Sequence, residues 1–170
     1  GFTHLFNAMS PFQSREAGMV GAALLDSTSY CGLIVDHEHV DQVSCQLAIK
    51  CKTPEFIMLV TDAMSHVGSE QIDLEFAGMQ INRQGNKLTI EGGRLAGSAL
   101  DMASAVRNTI KDLHCSVPDA IKMASSTPAS FLGLQKSKGY LAPGFDADWV
   151  VLTEQFNVSA TYINGTKVFG

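Results

Sequence analysis

Three short apolar runs each end in polar side chains, and stretches of helical length lie between them. Phe2-Thr3-His4-Leu5-Phe6-Asn7 carries a histidine and an amide. Gly32-Leu33-Ile34-Val35 runs into Asp36-His37-Glu38-His39, and Leu59-Val60-Thr61 runs into Asp62. The runs predict strands over 2–7, 31–36 and 56–61, because a short continuous apolar run bounded by turn signals suits a strand buried on both faces. Between them, Arg15 to Leu25 is rich in Ala, Gly and Leu, and Val40 to Lys50 places Val40, Val43, Leu47 and Ala48 at helical spacing. Pro54 interrupts the chain before the third strand. Strand–helix–strand–helix–strand predicts an α/β fold with parallel pairing and right-handed crossovers.

After Asp62 the period shortens. Residues 65–70 read as a polar loop, and Ile72 to Phe76, Met79 to Arg83 and Lys87 to Glu91 read as short strands, with turns at Ala77-Gly78 and Gln84-Gly85-Asn86. This predicts a β insertion at about 70–92, with Gly92-Gly93 and Gly97 in the return. A helix is predicted from Ser98, as N-cap, to Leu113, with Leu100, Ala103, Val106, Ile110 and Leu113 in one stripe. A second helix starts at Pro118 and a third at Thr127-Pro128-Ala129, ending at Gly133. A boundary is placed near 138. Beyond it, Trp149 to Leu152 and Ser159 to Ile163 read as strands, and Asn164-Gly165 as a type I′ turn into Thr166 to Phe169. The last segment is too short to bury a core alone.

With 45% hydrophobic and 17% charged residues, the 170-residue chain reads as globular. The net charge of −5 argues against nucleic acid as a partner. No apolar run reaches the length of a membrane span, and none of the runs reads as a signal peptide. Cys31, Cys45, Cys51 and Cys115 show no CxxC spacing and read as buried thiols in a reducing cytoplasm. Gly1 and the immediate first strand read as the C-terminal part of a longer protein.

A parallel strand presents its last residues at the C-terminal rim of a sheet or barrel, where active sites are built. Three such strands in series point to one composite site. Taken alone, Asp62 reads equally as a cap on the following turn. His4 suits a zinc or iron ligand, or a hydrogen-bonded core histidine. Beside a metal-activated water, Asp62 suits a general base and acid. Asn7, the free N–H of Ala8 and the Arg15 guanidinium suit a phosphate or carboxylate, although a lone arginine is commonly a solvated charge. His39 suits the same anion or a sugar hydroxyl, with Asp36 either orienting it or capping the next helix. His37 and His39 read as loop residues rather than a metal-binding pair. His66 and His114 read as surface residues, and Leu95-Ala96-Gly97-Ser98 offers free N–H groups near the site.

Thr3-His4-Leu5-Phe6-Asn7-Ala8-Met9, Arg15-Glu16, Asp36 through His39-Val40-Asp41, Val60-Thr61-Asp62-Ala63 and Leu95-Ala96-Gly97-Ser98 follow in this order. Together they resemble the C-terminal half of the N-acetylglucosamine-6-phosphate deacetylases of the amidohydrolase superfamily. The tail, Gly139 to Val151 and Tyr162 to Val168, resembles the strands that such enzymes return to a small β-sandwich.

The resemblance implies the C-terminal part of a (β/α)8 TIM-like barrel, strands six to eight, over 1–138, and part of the sandwich over 139–170. It implies metal-dependent deacetylation of N-acetylglucosamine 6-phosphate to glucosamine 6-phosphate and acetate. His4 would be a metal ligand and Asp62 the catalytic acid/base. Asn7, Ala8, Arg15 and His39 would hold the sugar phosphate, and Leu95, Ala96 and Gly97 would line the sugar pocket. The cofactor would be a divalent metal, zinc before iron, cobalt or manganese, and the assembly a cytoplasmic homodimer. The family's other ligands, a glutamate and a histidine on earlier strands, are absent from this chain, which alone is expected to be inactive. His37-Glu38 departs from the Gly-Leu pair usual before the family's histidine. The alternatives are another amidohydrolase, dihydroorotase- or deaminase-like, and a non-catalytic barrel homologue.

Overall fold

The computed structural model describes residues 1–69, 74–76 and 78–170. Its first part is parallel and layered with helices. Helix α1 (Gly18–Leu25) precedes strand β1 (Cys31–Leu33), and helix α2 (Gln42–Lys52) connects β1 to strand β2 (Ile57–Leu59). β1 and β2 pair in parallel, Cys31 beside Ile57 and Leu33 beside Leu59. Phe2 adds a parallel bridge to Cys31 on the other side.

The predicted strand over 2–7 shrinks to that one bridge, because His4, Phe6 and Ala8 take left-handed backbone and turn the chain away. The helix predicted from Arg15 starts at Gly18, leaving Arg15 at the tip of a turn closed by Gln13 and Glu16. In α2 the N-cap is Asp41, whose side chain accepts from the N–H of Val43. The buried face of α2 is Cys45, Ala48 and Lys52. Val43 and Leu47, two of the apolar residues at helical spacing, are exposed, because the face that meets the strands lies to one side of them.

One apolar core joins Leu5, Cys31, Leu33, Val35, Ile57 and Leu59 to Ala23, Cys45 and Ala48 of the first helices. Val106, Leu113, Ala120 and Met123 complete it. They come from helices α3 (Met102–Lys111) and α4 (Val117–Ala124), which α5 (Ser126–Phe131) follows. Ser116 caps α4, and Pro118 sits in its first turn, where its missing N–H costs nothing.

Between β2 and α3 lies an antiparallel sheet in the order β3 (Leu74–Phe76), β4 (Met79–Gln84), β5 (Lys87–Thr89), β6 (Leu95–Ser98). Ile72 and Asp73 of the predicted first strand, and Ala77 of its turn, lie outside the described residues. β6 corrects the predicted boundary at about 92 and the predicted helix start at Ser98. The sheet runs on to Ser98, and α3 takes Asp101 as its N-cap instead.

At the C-terminal end, β7 (Trp149–Leu152), β8 (Val158–Ile163) and β9 (Thr166–Phe169) form a three-stranded antiparallel sheet. Trp149 stacks on its cross-strand partner Tyr162 with ring centroids 4.5 Å apart. Asn164 and Gly165 both have positive φ, the backbone a type I′ turn requires. Among the described residues no helix is long and apolar enough to cross a membrane.

Candidate active site

Three chain segments end side by side at one edge. The N–H of Leu5 donates to the carbonyl of Gly32 at 2.8 Å, and that of Val60 to the carbonyl of Leu33 at 3.1 Å. Gly32 permits this spacing: a Cβ there would stand 3.2 Å from the Val60 side chain and 3.4 Å from the His4 nitrogen. His4, Asp36 and Asp62 therefore all follow the C-terminal ends of adjacent parallel segments. Nine non-glycine residues among those described have positive φ, and five of them, His4, Phe6, Ala8, His37 and Asp62, lie on the segments leaving these ends. Left-handed backbone costs a non-glycine residue free energy, and it gathers where a site needs side chains aimed in set directions.

Asp36 organises the middle segment. Its Oδ1 accepts from the N–H groups of Glu38 and His39, both at 2.9 Å, and its Oδ2 meets His39 Nδ1 at 2.6 Å. The two side chains are 1% and 6% exposed. Burial alone would raise the Asp36 carboxyl, but these hydrogen bonds outweigh it and hold it below its ordinary range. The His39 imidazole is held above its ordinary value, first by that hydrogen bond and against the effect of burial. The charge of Asp62 adds to the rise, which puts Asp62 and His39 within electrostatic reach of each other. An ionised carboxylate on Nδ1 makes that nitrogen the donor and leaves Nε2 for a ligand. Asp36 thus orients His39, and the helix cap belongs to Asp41.

The neighbours of His39 are anchored outward. His37 Nε2 meets Asp112 Oδ2 at 2.9 Å, and Glu38 faces Lys87 of β5 at 3.7 Å. His37 is therefore tied to the end of α3, away from any metal pairing with His39.

Asp62 is exposed. Its carbonyl accepts from the N–H of Ser98 at 2.8 Å, and the N–H of Met64 donates to the carbonyl of Ser98 at 3.0 Å. Leu95, Ala96 and Gly97 thus lie in a strand laid beside the segment that leaves Asp62, and Ser98 spends its N–H there instead of offering it to a ligand. Asn7 turns its amide back to the Leu5 carbonyl at 3.3 Å. Ala8 is exposed on the same turn. The Arg15 guanidinium stands in solvent without a hydrogen bond or ion pair among the described residues.

His4 Nδ1 is buried without a hydrogen-bond partner, which fits one position in a ligand set. Among the described residues no three His, Cys, Asp or Glu side chains gather as a metal-binding group.

Three features escaped the sequence. Ser98 read as a helix cap. His66 read as a surface residue but is 2% exposed, with both ring nitrogens unpartnered among the described residues; burial, with the Arg83 charge, holds its imidazole below the ordinary value. Cys51 is exposed and Cys115 half-buried, whereas Cys31 and Cys45 are buried as expected. Burial pushes the Cys45 thiol up to about 12. A separate cleft of about 440 Å³, lined by Gln46, Ile49, Lys50, Leu113, His114 and Cys115, lies among the helices and holds none of His4, Asn7, Arg15, Asp36, His39 or Asp62.

The amidohydrolase family model matches residues 25–168. The chain is 45% identical over 169 residues to an N-acetylgalactosamine-6-phosphate deacetylase of Shewanella sp. (strain ANA-3), covering 99% of this chain and 43% of the relative. It is 36% identical over 173 residues to the human N-acetylglucosamine-6-phosphate deacetylase, covering 98% of this chain and 42% of the relative. It superposes on the crystal structure of N-acetylglucosamine-6-phosphate deacetylase from Pasteurella multocida with a TM-score of 0.94 at 32% identity, covering 99% of this chain and 44% of that one. The chain thus spans less than half the length of the relatives it matches.

Proposed function

Because the chain belongs to the amidohydrolase family, we propose that it carries the C-terminal half of the active site of a deacetylase acting on an N-acetylated amino-sugar 6-phosphate. The reaction hydrolyses the amide C–N bond and releases acetate and the amino sugar 6-phosphate. The observation that carries this reading is that Asp62 and the Asp36–His39 pair follow the ends of adjacent parallel strands, in a chain aligned almost throughout with deacetylases. Residues 1–138 are read as barrel strands six to eight with the β insertion, and 139–170 as part of a β-sandwich.

Asp62 takes the proton of the attacking water and returns it to the departing amine. Its exposure and its reach to His39 support that role. His39, oriented by Asp36, presents Nε2 to a sugar hydroxyl or to the phosphate. Asn7 and Ala8 sit on the turn that follows His4 and complete the anion pocket with backbone and amide donors. Leu95, Ala96 and Gly97 line the sugar. Arg15, exposed and without a hydrogen bond or ion pair among the described residues, suits the site of a second subunit, in keeping with the homodimer.

The family uses divalent metals, and His4 would enter the ligand set singly. Polarisation of the acetyl carbonyl and activation of water are what such an ion supplies when bound. Zinc and a cytoplasmic location belong to the same reading.

The 45% identity to the galactosamine enzyme favours a second substrate, the C4 epimer. Acetate release tests both readings: N-acetylglucosamine 6-phosphate and N-acetylgalactosamine 6-phosphate are compared with the unphosphorylated sugars. Preference for a phosphorylated sugar supports the anion pocket, and the faster epimer names the substrate. Turnover of neither refutes the deacetylase reading and returns the chain to the wider amidohydrolase family or to a non-catalytic role.

A further inference from the structure

Asp62 holds a left-handed backbone, φ 50°, in a segment with little support of its own. A non-glycine residue keeps that conformation only where its surroundings over-determine it. Here the support comes from one residue. The Ser98 hydroxyl donates to the carbonyl of Thr61, and its backbone N–H donates to the carbonyl of Asp62. Its carbonyl accepts from the N–H of Met64. Among the described residues, the carbonyls of Thr61 and Asp62 accept from Ser98 and from no other group. Ser98 is itself fully buried, and its Oγ accepts from the N–H of Leu100 at 3.1 Å, so the hydroxyl has one direction in which to point.

We propose that Ser98 is a positioning residue for Asp62. It grips the peptide groups on both sides of the aspartate, fixes the left-handed turn, and so aims the carboxylate across the strand ends toward His39. The antiparallel sheet β3–β6 is then part of the catalytic apparatus, because its last residue sets the angle of the acid/base. The inference rests on Asp62 as the group that moves the proton.

The backbone bonds of Ser98 survive any side-chain change, so Ser98→Ala removes only the hold on Thr61 and the acceptor for Leu100. The test is acetate release across pH on the preferred amino-sugar phosphate, using the protein as it exists in its host, with Ser98→Ala, Ser98→Cys and Asp62→Asn compared. The expected result for Ser98→Ala is kcat lowered about 10- to 100-fold, the scale on which a displacement of about 1 Å costs turnover. KM stays within about twofold and the acidic limb of the kcat profile shifts. Ser98→Cys, close in size and a weaker donor, should fall between Ala and wild type. If Ser98→Ala does not fold, Ser98→Cys alone decides, with reduced kcat at unchanged KM expected. An Asp62→Asn variant without turnover, beside Ser98 variants with wild-type kcat and pH profile, overturns the positioning role and leaves the deacetylase reading standing. A change confined to KM also overturns it. Full turnover by Asp62→Asn overturns both.

Discussion

Asp36 and Asp62 occupy equivalent places at the ends of neighbouring parallel strands, yet they are held in opposite ways. Asp36 is buried and saturated by groups two and three residues ahead of it. Asp62 is exposed, and its backbone is held from Ser98, far along the chain. The first arrangement is a local turn that folds its own carboxylate away and uses it to fix a histidine. The second leaves the carboxylate free for chemistry and moves the task of fixing it onto another sheet. The buried carboxylate is fixed by its hydrogen bonds, and the exposed one is open to solvent, which is the division of labour the proposed function requires.

The largest effect that would sharpen this contrast is expected from Asp36→Ala. It strands two half-buried N–H groups and a buried imidazole, and should cost about 3 kcal/mol of unfolding free energy in denaturant titrations. Next is pH. His39 is held above the ordinary imidazole value of about 6.5, so the stability it adds is complete below that value and fades as pH climbs through its folded value. Asp36 is held below its ordinary value, so its contribution is present above the unfolded carboxyl pKa and is lost as pH falls through the folded one. Melting temperature measured against pH should therefore decline on the alkaline side, and His39→Gln should flatten that decline. An unchanged slope in that variant would break the account of Asp36.

Gly97→Ala comes third. The added Cβ would stand 2.9 Å from the Met64 side chain and 3.0 Å from the Asp62 carbonyl, at a φ of 63°. About 1–2 kcal/mol of stability should be lost, together with turnover, because the displaced carbonyl belongs to Asp62. The smallest effect is reserved for Lys87→Gln. Its pair with Glu38 is exposed on both sides, and its loss should cost less than about 1 kcal/mol. A cost for Lys87→Gln equal to that of Asp36→Ala would remove the distinction between buried and exposed charge on which the comparison stands.

Much of this was legible in the sequence. Val35-Asp36 and Val60-Thr61-Asp62 announced strands ending in acids because an apolar run followed by a carboxylate has few other uses in a parallel layout. Pro118, and Asn164-Gly165, announced a helix start and a hairpin through local backbone chemistry. What failed was whatever depends on distant partners. β6 has no β-branched residue and contains Gly97, whose bulge shifts the pairing between Lys87 and Thr89, so it read as a turn. His66 sits in a polar stretch, and its burial follows from packing that the stretch does not encode. The strand at Phe2 was over-read because hydrophobicity does not reveal the left-handed backbone at His4, Phe6 and Ala8. Of the expected site, His39 and Asp62 follow the ends of neighbouring parallel strands, while Arg15 stands exposed.

The tie between Ser98 and Asp62 also bears on protein engineering. An antiparallel sheet inserted between β2 and α3 invites exchange between relatives as a self-contained cassette. Here the cassette's last residue bonds the carbonyls of Thr61 and Asp62, so a chimera joined ahead of Leu95 keeps the native seam and one joined after Ser98 replaces it. Recombination points on the two sides of β6 are unequal, and libraries that shuffle this sheet should cut before it.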